Sequence, residues 1–226
     1  MSSGVPCVAR KALMVTVEVD SVGVESRLAA GEIGCPCCVG GVLGGWGYAR
    51  ERSVAGTEWR VRPRRARCRG CGVTHVLLPV SLLLRRAYLA EWIWAAFVAK
   101  ANGAGHRQIA RGLGVPASTV RGWLRAMGAR LEPVRAWFMG VAVAAGIDVR
   151  VPGASGSRWV DALAAVAAAW VAVTGRFGGF GMLGAVTAAG VAVAGSGGRL
   201  LAPGWPSVRP ATRPTSVGPE DPGSDV

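Results

Sequence analysis

Lysine is nearly missing from this sequence. Lys11 and Lys100 are the only two lysines among 26 basic residues, so positive charge is carried by arginine. Acid is scarce as well, with 13 Asp and Glu, which leaves a net charge of +13 and a pI near 11.0. Beyond residue 133 the only acids are Asp148, Asp161, Glu220, Asp221 and Asp225, too thin a supply for a carboxylate-based two-metal catalytic site. No apolar leader opens the chain, because Val15–Asp20 alternates valine with acid. That points to the cytoplasm, where the six cysteines are not expected to form structural disulfides. Charged residues make up 17% against 51% apolar, which excludes wholesale disorder. There is no internal repeat.

The excess charge is concentrated. Residues 35–84 carry eight basic and two acidic side chains, and residues 85–133 carry the same numbers. The flanking segments are close to neutral. A bias toward arginine spread by base composition would not localise in this way, so a polyanionic partner is expected, nucleic acid before an anionic membrane surface.

Pattern divides the chain into five parts. Residues 1–34 read as a strand (13–20) and a short helix (Val24–Gly31). Residues 35–84 have the Gly-rich turns and short runs of small antiparallel hairpins. Residues 85–133 switch to a period of 3.6. Residues 134–202 hold Ala/Val-rich helical segments, Ala136–Ala145 and Ala162–Thr174, expected to form a small bundle that could serve as a homodimer interface. Residues 203–226 hold six prolines and read as a disordered tail. The expected class is therefore α+β: a small four-cysteine zinc ribbon of antiparallel strands, a three-helix helix-turn-helix, and a mainly helical C-terminal region.

Cys35-x2-Cys38 and Cys68-x2-Cys71 supply four thiols in two turns. Two intervening residues let paired thiolates converge on one tetrahedral ion, and the glycines after each pair permit the tight turns. The spacing points to Zn2+ held by Cys35, Cys38, Cys68 and Cys71, with metal binding driving the folding of a region too small for its own core. Reduced buried cysteines or a redox pair are the alternatives, and the redox reading lacks a βαβ context. Cys37 is a surplus thiol beside Cys38, Cys7 is expected to be free, and His75 is read as a polar strand residue sooner than a ligand.

Between the pairs lies WRVRPRRARCRG. Arg62, Arg64, Arg65 and Arg67, with Arg60 and Arg69 beside them, suit phosphate contacts or minor-groove insertion. Only Glu58 is acidic in the immediate neighbourhood, so their repulsion calls for an external polyanion.

The segment HRQIARGLGVPASTVRGWLRAM, residues 106–127, carries the sharpest pattern. His106, Ile109, Ala110 and Leu113 share one helical face, and Val120, Trp123, Leu124 and Met127 repeat the spacing. Gly114 can take a positive φ between them, and Pro116 suits the start of the second helix. Leu89, Trp92, Ile93, Ala96 and Phe97 form the stripe of a preceding helix. The segment resembles the helix-turn-helix of bacterial repressors, resolvases and transposases at Ala110, Gly114 and Val120. Docked as that resemblance implies, Ala117, Ser118, Arg121 and Arg125 face the major groove, while Thr119 and Arg107 reach phosphates. Arg121 and Arg125 are the candidates for guanine O6 and N7.

From about Val15 to Leu131 the chain resembles bacterial proteins that join a zinc ribbon to a helix-turn-helix, and the N-terminal DNA-binding regions of insertion-sequence transposases. The resemblance implies a partner in double-stranded DNA, a transcription-regulatory or mobile-element role, and a nucleoid-associated place in the cytoplasm. No catalytic residue and no small-molecule substrate are expected. A transposase- or recombinase-derived enzyme is the second reading. A regulator tethered through the uncharged run Phe177–Gly198 is the third, disfavoured because eight of those residues are glycine.

Overall fold

The computed structural model describes residues 14–146, 149–181 and 184–206. Strands dominate the first part: β1 (Met14–Val17), β2 (Leu43–Tyr48), β3 (Arg52–Ser53), β4 (Arg60–Val61), β5 (Arg64–Cys68) and β6 (Thr74–Pro79), with α1 (Ser21–Ala30) after β1. Helices follow: α2 (Ala90–Ala101), α3 (His106–Leu113), α4 (Ala117–Gly128), α5 (Leu131–Ala145), α6 (Arg158–Phe177) and α7 (Ala188–Gly195), with a hairpin of β7 (Phe180–Gly181) and β8 (Gly184–Ala185) before α7. The class is α+β, with seven helices among the described residues.

The main sheet runs β1-β6-β5-β2. β2, β5 and β6 are antiparallel neighbours, but β1 joins β6 in parallel, Met14 opposite Val76. Residues 1–34 are therefore not a separate unit as far as they are described, since β1 completes the sheet and α1 covers it. Asp20 starts α1 by accepting from the N–H groups of Val22 and Gly23, both at 3.0 Å. Val24 and Leu28, one turn apart, bury against Leu43, Ala66, Cys68 and Leu77. In β5 the alternation is strict: Ala66 and Cys68 face this core, and Arg65 and Arg67 face solvent. β2 carries a bulge, because Gly45 pairs with Ala66 and Gly47 already pairs with Arg65. The extra residue is Trp46, 57% exposed.

The helical half has one core. Ile93, Phe97, Val120, Trp123, Met127, Val134, Phe138, Val166 and Trp205 belong to the same buried cluster. The segments 85–133 and 134–202 thus share an interior, where the sequence pattern suggested two units. Burying this many large side chains, at roughly 1.5–3 kcal/mol each, is what holds the short α3 in place. A smaller cluster, Val54, Val61, Leu78 and Leu82, joins the two halves beneath Trp59 and Leu89.

One expectation needs correction. The tail does not start at residue 203: Trp205 is buried, 5.6 Å from the Trp137 ring and 6.2 Å from that of Phe138. Its proline neighbours concealed one large aromatic that the core takes in. Residues 207–226, Cys7 and Asp148 lie outside the described residues. The run Phe177–Gly198 is not one helix, because α6 stops at Phe177 and α7 starts at Ala188, with the hairpin between. Glycine and the N-cap Thr187 set those breaks. α6 itself, 20 residues, is the one described helix long and apolar enough to cross a membrane by length and composition. Its Ala162, Ala165, Val166 and Ala169 face the protein core, while Val171 and Phe177 are exposed.

Candidate metal centre and basic surfaces

The four cysteines converge. Cys35 and Cys38 lie in the turn before β2, and Cys68 and Cys71 bound the turn from β5 to β6. All four Sγ atoms lie within 4.8 Å of one another, with Cys38–Cys68 at 3.6 Å and Cys35–Cys71 at 3.8 Å. A tetrahedron with metal–sulfur bonds of about 2.3 Å has edges of ~3.8 Å, so these spacings could hold a metal ion. Backbone N–H groups point at the sulfurs: Cys37 to Cys35 at 3.3 Å, Gly70 to Cys68 at 3.3 Å and Cys71 to Cys68 at 3.4 Å. Such donors stabilise thiolate over thiol.

Gly41 closes the cradle. A Cβ at that position would sit 2.3 Å from Cys38 Sγ and 2.9 Å from Cys68 Sγ. Only hydrogen leaves the sulfurs room to approach. Gly41 also ties the turn together, its carbonyl accepting from the Cys35 N–H at 2.7 Å.

The four thiols differ in how firmly they hold their protons. The hydrogen bond with Cys68, then burial, pushes Cys38 up to about 12. Burial also acts to raise Cys68, but the N–H groups of Cys71 and Gly70 and the Cys38 and Cys35 thiols outweigh it and bring Cys68 down to about 7. At Cys71 the Val73 N–H lowers the pKa, and burial with the Cys68 and Cys35 thiols more than reverses that. Four thiolates this close repel, and a bound cation removes the conflict.

His75 is fully buried on β6, its Nε2 3.6 Å from Cys35 Sγ. It also groups with Cys35 and Cys37 within 4.8 Å. Four sulfurs already complete a tetrahedron, so His75 is placed to support Cys35 from outside it.

The arginines of β4 and β5 separate into two kinds. Arg65, Arg67 and Arg69 lie exposed on one face, with Arg67 stacked 4.8 Å from the Trp46 ring and its Nε donating to Gly72 O at 3.0 Å. Arg64 faces the other way. Its Nε is 2.6 Å from Glu25 Oε1, its Nη1 donates to Gly47 O at 2.8 Å, and its guanidinium covers Tyr48 at 4.6 Å. Arg62 stacks on Tyr48 at 5.1 Å, and Arg60 pairs with Glu51 at 3.2 Å. The premise that Glu58 is the sole counter-charge is therefore corrected: Glu25 on α1 and Glu51 reach this surface, and the positive face without a carboxylate partner among the described residues consists of Arg65, Arg67 and Arg69, with Arg62 on the Tyr48 side.

α3 ends at Gly114, φ +64, whose N–H bonds back to the carbonyls of Ala110 and Arg111. Val115 is buried in the corner and donates to Ala110 O at 3.0 Å. Val120, Trp123 and Met127 anchor α4 in the core. Its opposite face exposes Ala117, Ser118, Arg121 and Arg125, while Thr119 is half-buried and Arg107 is exposed on α3. Sequence reasoning missed Trp46, Glu25 and two arginines beside α4, Arg86 and Arg130, whereas Gly41 was legible as one of the glycines following the first cysteine pair.

Comparisons with known protein families, with curated proteins and with solved structures give no match.

Proposed function

We propose that this protein binds specific double-stranded DNA sequences, with α3, the Gly114 turn and α4 acting as a helix-turn-helix and the four-cysteine region acting as a zinc ribbon. The observation that carries the reading is α4. One face is locked by Val120, Trp123 and Met127, and the other offers Ser118, Arg121 and Arg125 to solvent. A rigid helix showing two guanidiniums one turn apart suits bidentate contacts to guanine edges. The cation-rich strand face of Arg65 and Arg67 would then lie against phosphates, with Arg62 and Arg64 on the Tyr48 side as further candidates. Zn2+ fits an all-sulfur tetrahedral site with no redox demand, and iron is the other metal such a site takes.

The role is that of a transcription regulator or a mobile-element recognition protein in the cytoplasm, in keeping with the resemblance to insertion-sequence transposase N-terminal regions. The exposed Val171 and Phe177 of α6 would suit a homodimer, which would read paired half-sites.

Selection of bound sites from a random duplex pool tests the reading. Enrichment of one motif is expected, with metal analysis of the same preparation giving one zinc per chain. Substituting Arg121→Ala and Arg125→Ala together should weaken binding to that motif by about a hundredfold or more, at 1–3 kcal/mol per base contact, with far smaller losses on unrelated duplex. Equal losses on both would remove α4 from the reading role.

A further inference from the structure

Beside the exposed face of α4 lies a cleft of about 630 Å3, whose polar lining comes from Arg86, Ser118, Thr119, Arg125 and Arg130. Three of these are arginines, two are hydroxyls, and none is an acid. We propose that this cleft is a binding site for a phosphate group.

Arg86 and Arg130 set the argument. Both are half-buried, and among the described residues neither has a carboxylate within ion-pair distance. Their protein partners are backbone carbonyls. Arg86 Nη2 donates to Leu201 O at 3.0 Å, and Arg130 donates to Ala126 O, Ala202 O and Trp205 O. Carbonyl dipoles orient the guanidiniums without neutralising them. Burial, and then the charge of Arg86, lower the pKa of Arg130, so the two cations are close enough to repel. Arg86 Nε is buried without a hydrogen-bond partner among the described residues. Two unneutralised guanidiniums held together, with Arg86 Nε desolvated and unsatisfied, are costly unless an oxyanion offsets their charge.

A phosphate suits the remaining chemistry. Its oxygens can accept from the Arg86 and Arg130 N–H forks together, with the Thr119 hydroxyl as a neutral donor, while Ser118 and Arg125 stand at the rim and stay available to base edges. The site does not use Arg121, which stands on the neighbouring stripe of α4. This inference deepens the DNA-binding reading, because a backbone phosphate seated here would fix the height at which α4 lies in a groove. A free phosphate or phosphomonoester carries the same chemistry.

The test uses the full chain with Arg86→Gln and, because Arg130 holds two carbonyls of the 199–206 segment where Arg86 holds one, Arg86→Lys in place of a change at Arg130. Binding to a short duplex is titrated against salt, and thermal unfolding is recorded in inorganic phosphate and in chloride of equal ionic strength. Arg86→Gln is expected to weaken matched and unmatched duplexes alike, about tenfold, and to lower the salt slope by about one, with partial recovery in Arg86→Lys. Loss of this uniform term, with no phosphate-dependent rise in melting temperature in the parent protein, identifies the DNA backbone as the source of the phosphate. A rise that Arg86→Gln abolishes identifies a free phosphate ligand, and supports the site even if no duplex binds. If Arg86→Gln folds normally and changes neither duplex affinity, salt slope nor phosphate response, the site is refuted while the role of α4 stands.

Discussion

Replacing Gly41 by alanine is the sharpest perturbation of the cysteine cluster. The added Cβ would sit 2.3 Å from Cys38 Sγ and 2.9 Å from Cys68 Sγ, far inside any carbon–sulfur contact. Cys38 Sγ would have to retreat by more than 1 Å to reach a contact of roughly 3.5 Å, judged by ordinary non-bonded separations. That displacement removes Cys38 from the tetrahedron whose Cys38–Cys68 edge is now 3.6 Å. Four-ligand zinc sites are worth about 10–16 kcal/mol in small domains, so losing one ligand in four costs roughly 3 kcal/mol, or about a hundredfold in metal affinity. Gly40→Ala is the matched control. Gly40 has φ +69 and nothing within 4 Å of an added Cβ, so this change carries only the left-handed backbone cost of about 1 kcal/mol and leaves the cradle open. Chelator competition on both variants reads the difference. Gly41→Ala holding its metal as tightly as Gly40→Ala would refute the argument that sulfur placement depends on that missing side chain.

Metal retention should depend steeply on pH. Cys38, at about 12, and Cys71, raised above its ordinary range, both still carry protons at neutral pH and must lose them to bind a cation, whereas Cys68, at about 7, is already mostly ionised above that pH. Affinity should therefore rise about tenfold per pH unit for each proton displaced, fall further below pH 7 as Cys68 protonates, and be accompanied by proton release in unbuffered calorimetry. A pH-independent affinity between 6 and 8 would contradict this. Separately, Trp205→Ala should destabilise the helical half by about 3–5 kcal/mol in urea unfolding, because its ring is buried against Trp137 and Phe138. A change under about 1 kcal/mol would mean that residues 203–206 are peripheral.

The cysteine cluster and the α3–α4 pair were legible because each is written in local spacing. Paired cysteines two residues apart report a turn, and Ala110, Gly114, Val115 and Val120 each answer a steric demand a few residues away. What escaped is non-local. Nothing near Arg64 in the chain announces Glu25, which reaches it from α1 across β2. Likewise β1 reads as an ordinary alternating strand, and its parallel pairing with β6 depends on a partner encoded over fifty residues later. Trp205 was hidden by its setting, a single aromatic among prolines whose composition spoke for a tail. The bulge at Trp46 depends on register, which a run of glycines leaves unspecified.

The parallel seam between β1 and β6 also bears on how the chain is made. Synthesis delivers β1 and α1 well before β6, so the valines of β1 have no strand beside them until Thr74–Pro79 has emerged. β5, joined to β6 by a short turn, can pair with it first, β2 adds beside β5, and β1 then docks across the longest gap in the sheet. The two cysteine turns flank β2 and β5, so an ion captured there would pin these strands before β1 docks. Metal supply would then set the yield of folded chains at birth, in addition to the stability of those already finished.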